Sequence, residues 1–204
     1  MMEFKCEKKE CDGECAAYMI STINEVLSNG ELIVYPTETL YGIGGDPYKE
    51  GMMDKIRGVK EAPQDKKISI AYSDMDQASE FIDEDLPESA WALEEKLLPG
   101  PLCIVVETED GSEGIRVPDH PLPQKIVQDF GPITSTSANV HGRPAPMEIK
   151  TSKIQLDGRV KLYVNCGSCE LGRGSTVVKL KDDGFEMLRG GPISKEEIGD
   201  ALGV

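Results

Sequence analysis

Three short segments of the chain combine hydroxyl side chains with glycines. They are residues 36–44 (PTETLYGIG), 135–142 (STSANVHG) and 172–176 (GRGST). Small residues of this kind let backbone N–H groups approach an anion closely, and the hydroxyls add further donors. Each segment alone is also typical of an ordinary turn. Neither a G-x-x-x-x-G-K-[ST] loop nor a G-x-G-x-x-G fingerprint occurs, so the segments indicate an anion site without the common nucleotide-binding motifs.

A basic stretch at residues 55–67 contains the cations that such a site needs. It holds five Lys or Arg residues and two acids, in a chain whose formal net charge is −15. Concentrated cations in an acidic protein attract phosphate locally, although the charged end of a surface helix would look the same. Residues 74–95 carry nine acids and no base, which predicts a solvated face.

Other kinds of catalytic site find less support in the residue pattern. The two histidines, His120 and His141, form no metal-binding pattern, and G-x-S-x-G is absent, which disfavours hydrolytic zinc and serine-hydrolase chemistry. A chain of 204 residues needs no disulfide staples, so we expect its six cysteines to be thiols. A tetrahedral zinc site is the minority alternative, with ligands drawn from Cys6, Cys11, Cys15, Cys166 and Cys169.

The composition describes a globular, water-exposed chain. It is 39% apolar and 29% charged, and no stretch approaches the ~18 apolar residues that span a membrane. The first residues, MMEFKCEKKECDGEC, lack the apolar core of a secretion signal, so we expect a cytoplasmic protein with no membrane partner. A pI near 4.6 excludes a surface that is basic throughout, and any nucleic-acid contact needs a local patch.

Hydrophobic periodicity predicts alternating helices and strands. Helices are expected at 15–29, from Asp46 through Ile56, twice within 74–96, near 121–129, and after Ser194, which forms a capping box with Glu197. Strands are expected at 31–35, 68–72, 102–107, as a short strand ending in TSTSAN, and at 160–165, 175–180 and 185–189, with Arg116 in a loop. Mixed strands and helices in a chain of this size predict one α/β sandwich domain.

Seven blocks in order resemble the YrdC-like family of threonylcarbamoyl-AMP synthases, in its short single-domain form. The usual family forms are Y-P-T-[DE]-T-x-Y-G-[LI]-G, K-x-R-P, P-G-P-x-T, R-x-P, S-A-N-x-S-G, S-T-V-V and I-R-x-G. The matching segments are YPTETLYGIG (35–44), the basic stretch (55–67), LPGPLCIVV (98–106), GIRVP (114–118), GPITSTSANVHGRPAP (131–146), GSTVV (174–178) and LRGGPIS (188–194).

The resemblance covers residues 16–202 as one YrdC-like catalytic domain, preceded by a Cys-rich extension over 1–15, and it implies a fold and a reaction. The fold is a twisted, mixed α/β sheet with flanking helices around a concave site. The reaction joins L-threonine, bicarbonate and ATP into L-threonylcarbamoyladenylate and releases pyrophosphate. A separate downstream enzyme passes the threonylcarbamoyl group to the adenosine beside the anticodon of tRNA. Because the reactants are anions, cations and positioning should supply the catalysis without a covalent enzyme intermediate.

The resemblance also assigns residues to ligands. Thr37 and Arg116 would hold the threonine, and Arg116 would pair with its carboxylate in the bidentate manner of a guanidinium. Mg²⁺ would ride on the triphosphate, held mainly by substrate oxygens and water. For Arg116 and Arg189, the alternative is a surface ion pair. The residues expected to contact ATP are Arg57, Lys60, Lys66, Ser137, Asn139, Ser175 and Arg189.

Three departures from the family pattern, and two alternative functions, stay open. RGVKEAPQDKK replaces K-x-R-P-x-x-K-P, which leaves the roles of Arg57 and Lys60 undecided. Cys103 replaces a Thr, and His141 replaces a Ser; His141 would either tune pH dependence or be a simple loop substitution. The alternatives are an RNA-binding module and the carbamoyl-adenylate chemistry of hydrogenase maturation. If the main reading holds, tRNA should bind weakly and in a salt-dependent manner.

Overall fold

The computed structural model describes residues 2–5, 14–83, 85–109 and 111–204, with backbone alone for 14–16. The strands are β1 (Met2–Lys5), β2 (Ile33–Tyr35), β3 (Gly42–Gly44), β4 (Ser69–Ala71), β5 (Leu102–Thr108), β6 (Gly111–Arg116), β7 (Ile133–Ser137), β8 (Leu162–Asn165), β9 (Thr176–Lys181) and β10 (Gly184–Arg189). The helices are α1 (Glu14–Ser28), α2 (Met52–Lys60), α3 (Met75–Ile82), α4 (Glu88–Leu97), α5 (Pro121–Asp129), α6 (Ile149–Leu156) and α7 (Lys195–Leu202).

The ten strands form one mixed sheet, in the order β1-β8-β2-β3-β7-β4-β6-β5-β9-β10. The sheet contains parallel pairs, such as β2 with β8 and β5 with β9, and antiparallel pairs, such as β5 with β6 and β9 with β10. The predicted mixed sheet with flanking helices is therefore confirmed. Within the described ranges, no helix is long and apolar enough to cross a membrane.

The described helices pack on both faces of the sheet around β2 and β8, but on only one face around β5, β6 and β9. On β2 and β8, successive side chains enter two separate cores: Ile33 and Leu162 pack with α1 and α5, whereas Val34 and Tyr163 pack with α2 and α6. On β5, β6 and β9, one face packs against α3, α4 and α7 through residues such as Ile104. The alternate residues of these strands line an open cleft instead. The cleft is thus the sheet face that no described helix covers.

Thr134 joins the two halves at the centre of the sheet. It lies on β7, which pairs with β3 on one side and β4 on the other. Its fully buried hydroxyl accepts a hydrogen bond from Gly45 N at 3.0 Å and donates one to Ile43 O at 3.1 Å. Its backbone N–H also donates to Gly45 O at 2.9 Å. This threonine therefore satisfies the backbone where β3 ends.

Several elements differ from the sequence-based expectation. Arg116, expected in a loop, ends strand β6, because pairing with β4 and β5 outweighs the weak strand propensity of Gly-Ser-Glu-Gly. Helix α2 starts at Met52 rather than near Asp46, and Gly51, with φ of 74°, precedes it. Strands β1 and β3 and helix α6 are additional. The Ser194 capping box of α7 is confirmed.

The N-terminal segment and the cysteines also differ from expectation. Met2–Lys5, expected within a separate extension, pairs in parallel with β8 and so belongs to the sheet. Cys166 is disulfide-bonded, so the expectation of thiols throughout is wrong at this position. Of the other cysteines named as zinc ligands, Cys6 and Cys11 lie outside the described residues, as does the side chain of Cys15.

We predict that Thr134→Val lowers the free energy of unfolding by about 1–3 kcal/mol, because valine fills the space but leaves the Gly45 N–H without a partner and removes the hydrogen bond to the Ile43 carbonyl. Urea denaturation measures the loss. Thr22→Val is the matched control, because the Thr22 hydroxyl bonds only its own helix at an exposed position, and its cost should stay within about 0.5 kcal/mol. Equal losses for both variants would contradict the assigned role.

Candidate active site

The uncovered sheet face forms the floor of a cleft of about 900 Å³. Alternation along the strands selects its residues: Cys103 and Val105 of β5 face the cleft, while Ile104 between them enters the core. The walls come from the β2–β3 turn, the segment after α2, the loop after β7 and the residues before β9. Each wall therefore contains one of the hydroxyl-rich or basic segments of the sequence.

The charge of the cleft is opposite to that of the chain. Among the described residues, the lining holds one carboxylate, Glu186, although the chain carries a formal net charge of −15. Cations collected in a concave site attract anions and focus the local field. The cations of the lining are Lys60, Lys66, Lys67, Arg116, Lys179 and Arg189.

Arg116 is the most firmly held of these cations. It is 3% exposed, and Nη1 donates to Gly100 O at 2.9 Å and to Leu102 O at 2.6 Å. Nη2 donates to Oε1 of Glu38 at 2.8 Å, and Glu38 is 6% exposed. This is a buried ion pair rather than the surface pair considered as the alternative. It joins the end of β6 to the β2–β3 turn and to the segment that enters β5.

Lys60 supports the loop that follows β7. It is 4% exposed, and its ammonium donates to Ser137 O and, at 3.0 Å, to Asn139 O. Burial, together with the nearby charge of Lys66, lowers the pKa of Lys60 to about 8. Asn139 Nδ2 donates to the carbonyls of Val140 and Arg143. Asn139 Oδ1 is buried and has no partner among the described residues, so it can accept from a ligand.

Two guanidinium groups act on the inner end of the cleft. Arg189 donates from Nε to Ser175 O at 3.0 Å. The charges of Arg116 and Arg189 both act on the Cys103 thiol, whose pKa is nevertheless raised because the thiol is buried. A buried, protonated thiol is a poor nucleophile. This end of the cleft is therefore built to bind an anion rather than to form a covalent intermediate through Cys103.

Thr37 lines the cleft, but its hydroxyl organises the β2–β3 turn. It accepts from the backbone of Thr39 at 3.2 Å and of Leu40 at 3.1 Å, and it lies 2.7 Å from Leu40 O. Hydroxyl groups that bond the backbone two and three residues on are typical of such turns. The contact with a substrate threonine stays a prediction for this residue.

Eight of the nine residues that the sequence assigned to ligands lie in the cleft. The exception is Arg57, which bonds Asp54 Oδ1 at 2.9 Å and Lys66 O at 3.1 Å outside the lining. Lys60 is thus the member of the undecided pair that faces the cleft. Taking Lys60 as the first Lys of K-x-R-P-x-x-K-P brings Pro63 into register and puts Ala62 at the Arg position. The residues in the cleft are Thr37, Lys60, Lys66, Arg116, Ser137, Asn139, Ser175 and Arg189.

Three charged residues of this region were not predicted from the sequence. Glu38 lies inside the first block, where an acid among hydroxyls could have been read as the partner of a buried cation. Lys67 belongs to the basic stretch and was counted there without a role. Lys179 lies on β9 and forms an ion pair with Glu107. The alternation of side chains along β9 was the one signal in the sequence that could have indicated that Lys179 faces the cleft.

Comparison with known proteins identifies one family whose members resemble most of this chain. Residues 25–191 match the Sua5/YciO/YrdC family, whose description reads Telomere recombination. That span covers most of the chain. The chain belongs to the Sua5/YciO/YrdC family.

Two curated relatives and one solved structure show how far the similarity to this family extends. A threonylcarbamoyl-AMP synthase of Bacillus subtilis is 32% identical over 190 residues, which are 87% of this chain and 55% of the relative. That of Vibrio parahaemolyticus is 34% identical over 146 residues, 66% of this chain and 79% of the relative. The crystal structure of Pyrococcus abyssi Sua5 complexed with L-threonine is 25% identical, with a TM-score of 0.87 over 99% of this chain.

The chain spans only part of two of these Sua5/YciO/YrdC proteins. It covers about half of the B. subtilis synthase and 60% of the P. abyssi Sua5 chain. The similarity in fold extends over the whole uncovered face of the sheet, since nearly all of this chain is superposed on Sua5.

We predict that the stability contribution of Lys60 rises with pH. The native pKa of about 8 lies below the ordinary 10.5, so between these values the unfolded chain holds a proton that the native chain has released. Stability therefore increases as the pH rises through this window. Relative to Lys60→Met, the free energy of unfolding of the unaltered chain should rise by about 2 kcal/mol between pH 7.5 and 10. Urea denaturation at a series of pH values measures this change.

The matched control for Lys60 is Lys55→Met. Lys55 also donates to a carbonyl, Gly30 O at 2.8 Å, but it lies at the surface in an ion pair with Glu31. The difference in unfolding free energy between Lys55→Met and the unaltered chain should stay constant over the same pH range. A constant difference for Lys60→Met as well would show that the Lys60 ammonium is not desolvated.

Proposed function

We propose that this protein makes L-threonylcarbamoyladenylate and pyrophosphate from L-threonine, bicarbonate and ATP, for threonylcarbamoyladenosine modification of tRNA. The observation that carries the proposal is the cationic cleft on the bare sheet face of an acidic member of this family. All three substrates carry negative charge at neutral pH. A site that neutralises and aligns them lowers the barrier without any group of the protein entering the reaction.

The proposed reaction has two steps. The amine of threonine condenses with bicarbonate to give a carbamate and water. A carbamate oxygen then attacks the α-phosphorus of ATP, the bond to the bridging oxygen breaks, and pyrophosphate leaves with that electron pair. Both steps bring anions together, so alignment and charge neutralisation are the two contributions required of the protein.

Arg116 is the proposed site for the threonine carboxylate. Three of the five guanidinium N–H donors are occupied, by Gly100 O, Leu102 O and Glu38. The Nε–H and one Nη2–H have no partner among the described residues. Two donors suit a carboxylate. The P. abyssi Sua5 complex with L-threonine supports an amino-acid subsite in this fold.

The other side of the cleft is the proposed ATP site. Lys60 and Lys66 offer cations to the phosphates, and the unpartnered Asn139 Oδ1 offers an acceptor to a donor group of the nucleoside. Mg²⁺ bound to ATP would supply further charge neutralisation at the phosphates. Among the described residues, no group of three acidic, His or Cys side chains could hold a metal ion. Mg²⁺ would therefore be held mainly by phosphate oxygens and water.

The decisive experiment is pyrophosphate release by the purified chain with ATP and Mg²⁺. Release should require both L-threonine and bicarbonate, and L-serine should be a poorer substrate, because a missing methyl contact costs roughly 1–3 kcal/mol. Mass spectrometry should detect the adenylate. Release without an amino acid would contradict the proposal. Tight, salt-resistant tRNA binding with no ATP turnover would support an RNA-binding module instead.

We predict that Arg116→Lys raises KM for threonine by about tenfold or more and leaves KM for ATP within about twofold, because lysine keeps the charge but loses the planar fork. Because the substitution disrupts three buried hydrogen bonds, it should also lower the free energy of unfolding by about 3 kcal/mol. Steady-state kinetics and urea denaturation measure the two effects. Arg159→Lys, at the partly exposed ion pair with Glu61, is the control. Unchanged threonine kinetics would remove Arg116 from the substrate site.

A further inference from the structure

We propose that Glu38 is a positioning residue that acts through Arg116. It fixes the rotation of the guanidinium, so that the two donors left over are presented together to a carboxylate. The inference rests on the proposed function, because it takes the ligand of Arg116 to be the carboxylate of an amino acid. Glu38 itself does not line the cleft, so its effect on a ligand passes through Arg116.

The geometry around Arg116 gives Glu38 this role. The two carbonyls of Gly100 and Leu102 both bind Nη1 and hold one end of the planar group. The bond from Nη2 to Glu38 Oε1, at 2.8 Å, holds a second corner. A plane fixed at two corners cannot rotate about its side-chain bonds. The edge that carries Nε–H therefore keeps one orientation before any ligand arrives.

Hydrogen bonds from two segments hold the backbone of Glu38 in place. Its backbone carbonyl accepts from Leu171 N at 2.9 Å, which ties it to the loop before β9. The turn that carries it is closed by the Thr37 hydroxyl. Its carboxylate makes one hydrogen bond, since Oε2 is buried without a partner among the described residues. The position of the carboxylate thus depends on a rigid backbone and on the length of its own side chain.

The ion pair also determines how the site distinguishes ligands. Because Glu38 cancels the charge of Arg116, the pair as a whole attracts a carboxylate weakly over distance. Discrimination between a carboxylate and a neutral amide must then come from donor geometry at contact. The reach of Glu38 is therefore more important for selectivity than its charge, and the two properties can be separated by substitution.

Two substitutions separate reach from charge. Glu38→Asp keeps the charge but is shorter by one methylene, so it loses the 2.8 Å contact with Arg116. Glu38→Gln keeps the reach and an acceptor oxygen but loses the charge. Titration calorimetry on the full chain measures the Kd of L-threonine and of L-threoninamide, in which a neutral amide replaces the carboxylate. The unaltered chain should prefer L-threonine.

We expect Glu38→Asp to weaken L-threonine binding by about tenfold and to change L-threoninamide binding by less than about twofold. Glu38→Gln should keep the preference for L-threonine while lowering the thermal midpoint, because a buried guanidinium loses its counter-charge. A residue with a structural role alone would reduce the fraction of active protein and leave both Kd values unchanged. The surface variants Glu31→Asp and Glu31→Gln, at the ion pair with Lys55, are matched controls.

The outcomes separate this inference from the proposed function. If Glu38→Asp keeps the threonine preference, the positioning role is wrong, whatever the turnover of the unaltered chain. If Glu38→Asp fails to fold, loss of the preference in the folded Glu38→Gln variant would equally overturn it. If the unaltered chain binds both compounds alike, Arg116 does not receive a carboxylate. Pyrophosphate release then decides separately whether the proposed function stands.

Discussion

The buried ion pair between Arg116 and Glu38 is the interaction on which the cleft depends. It links the end of β6, the β2–β3 turn and the segment entering β5, and these segments are far apart in sequence. A pair buried to this degree gains little net free energy, because removing both charges from water is costly. Its clearest effect is to specify one arrangement of the segments. The cleft is thus shaped by a polar contact at its inner end, while helices on the other face supply the core.

Six of the 22 lysines and arginines line the bare face of the sheet, where they outnumber the one described carboxylate, Glu186. The α3–α4 region carries much of the negative charge and covers the opposite side of the sheet from the cleft. Three of the six cleft cations come from the basic stretch, and the other three lie on strands β6, β9 and β10. An overall pI near 4.6 and an anion-binding cleft are therefore compatible. The net charge of a chain describes its surface on average and does not describe its cavities.

The sequence predicted the periodic elements well, because their patterns are local. Helices α1, α4 and α5 and strands β5, β9 and β10 lie close to the expected ranges. Strand β6 could not be found in this way, since its glycines and polar residues form a strand only through pairing with neighbours distant in sequence. The candidate site was found through seven ordered blocks. The choice between Arg57 and Lys60 needed the fold, because both lie within one short basic stretch and only one faces the cleft.

The parallel pairing of β1 with β8 has a consequence for the order of assembly. Met2–Lys5 lies against residues 162–165, so about three-quarters of the chain must be synthesised between the two partners. Closing so long a loop is entropically unfavourable until the intervening strands are in place. During translation, strand β1 therefore stays unpaired until its partner β8 has formed. Strand β1 is made before β8 and would be among the last strands to dock, so its pairing reports completed folding of the sheet.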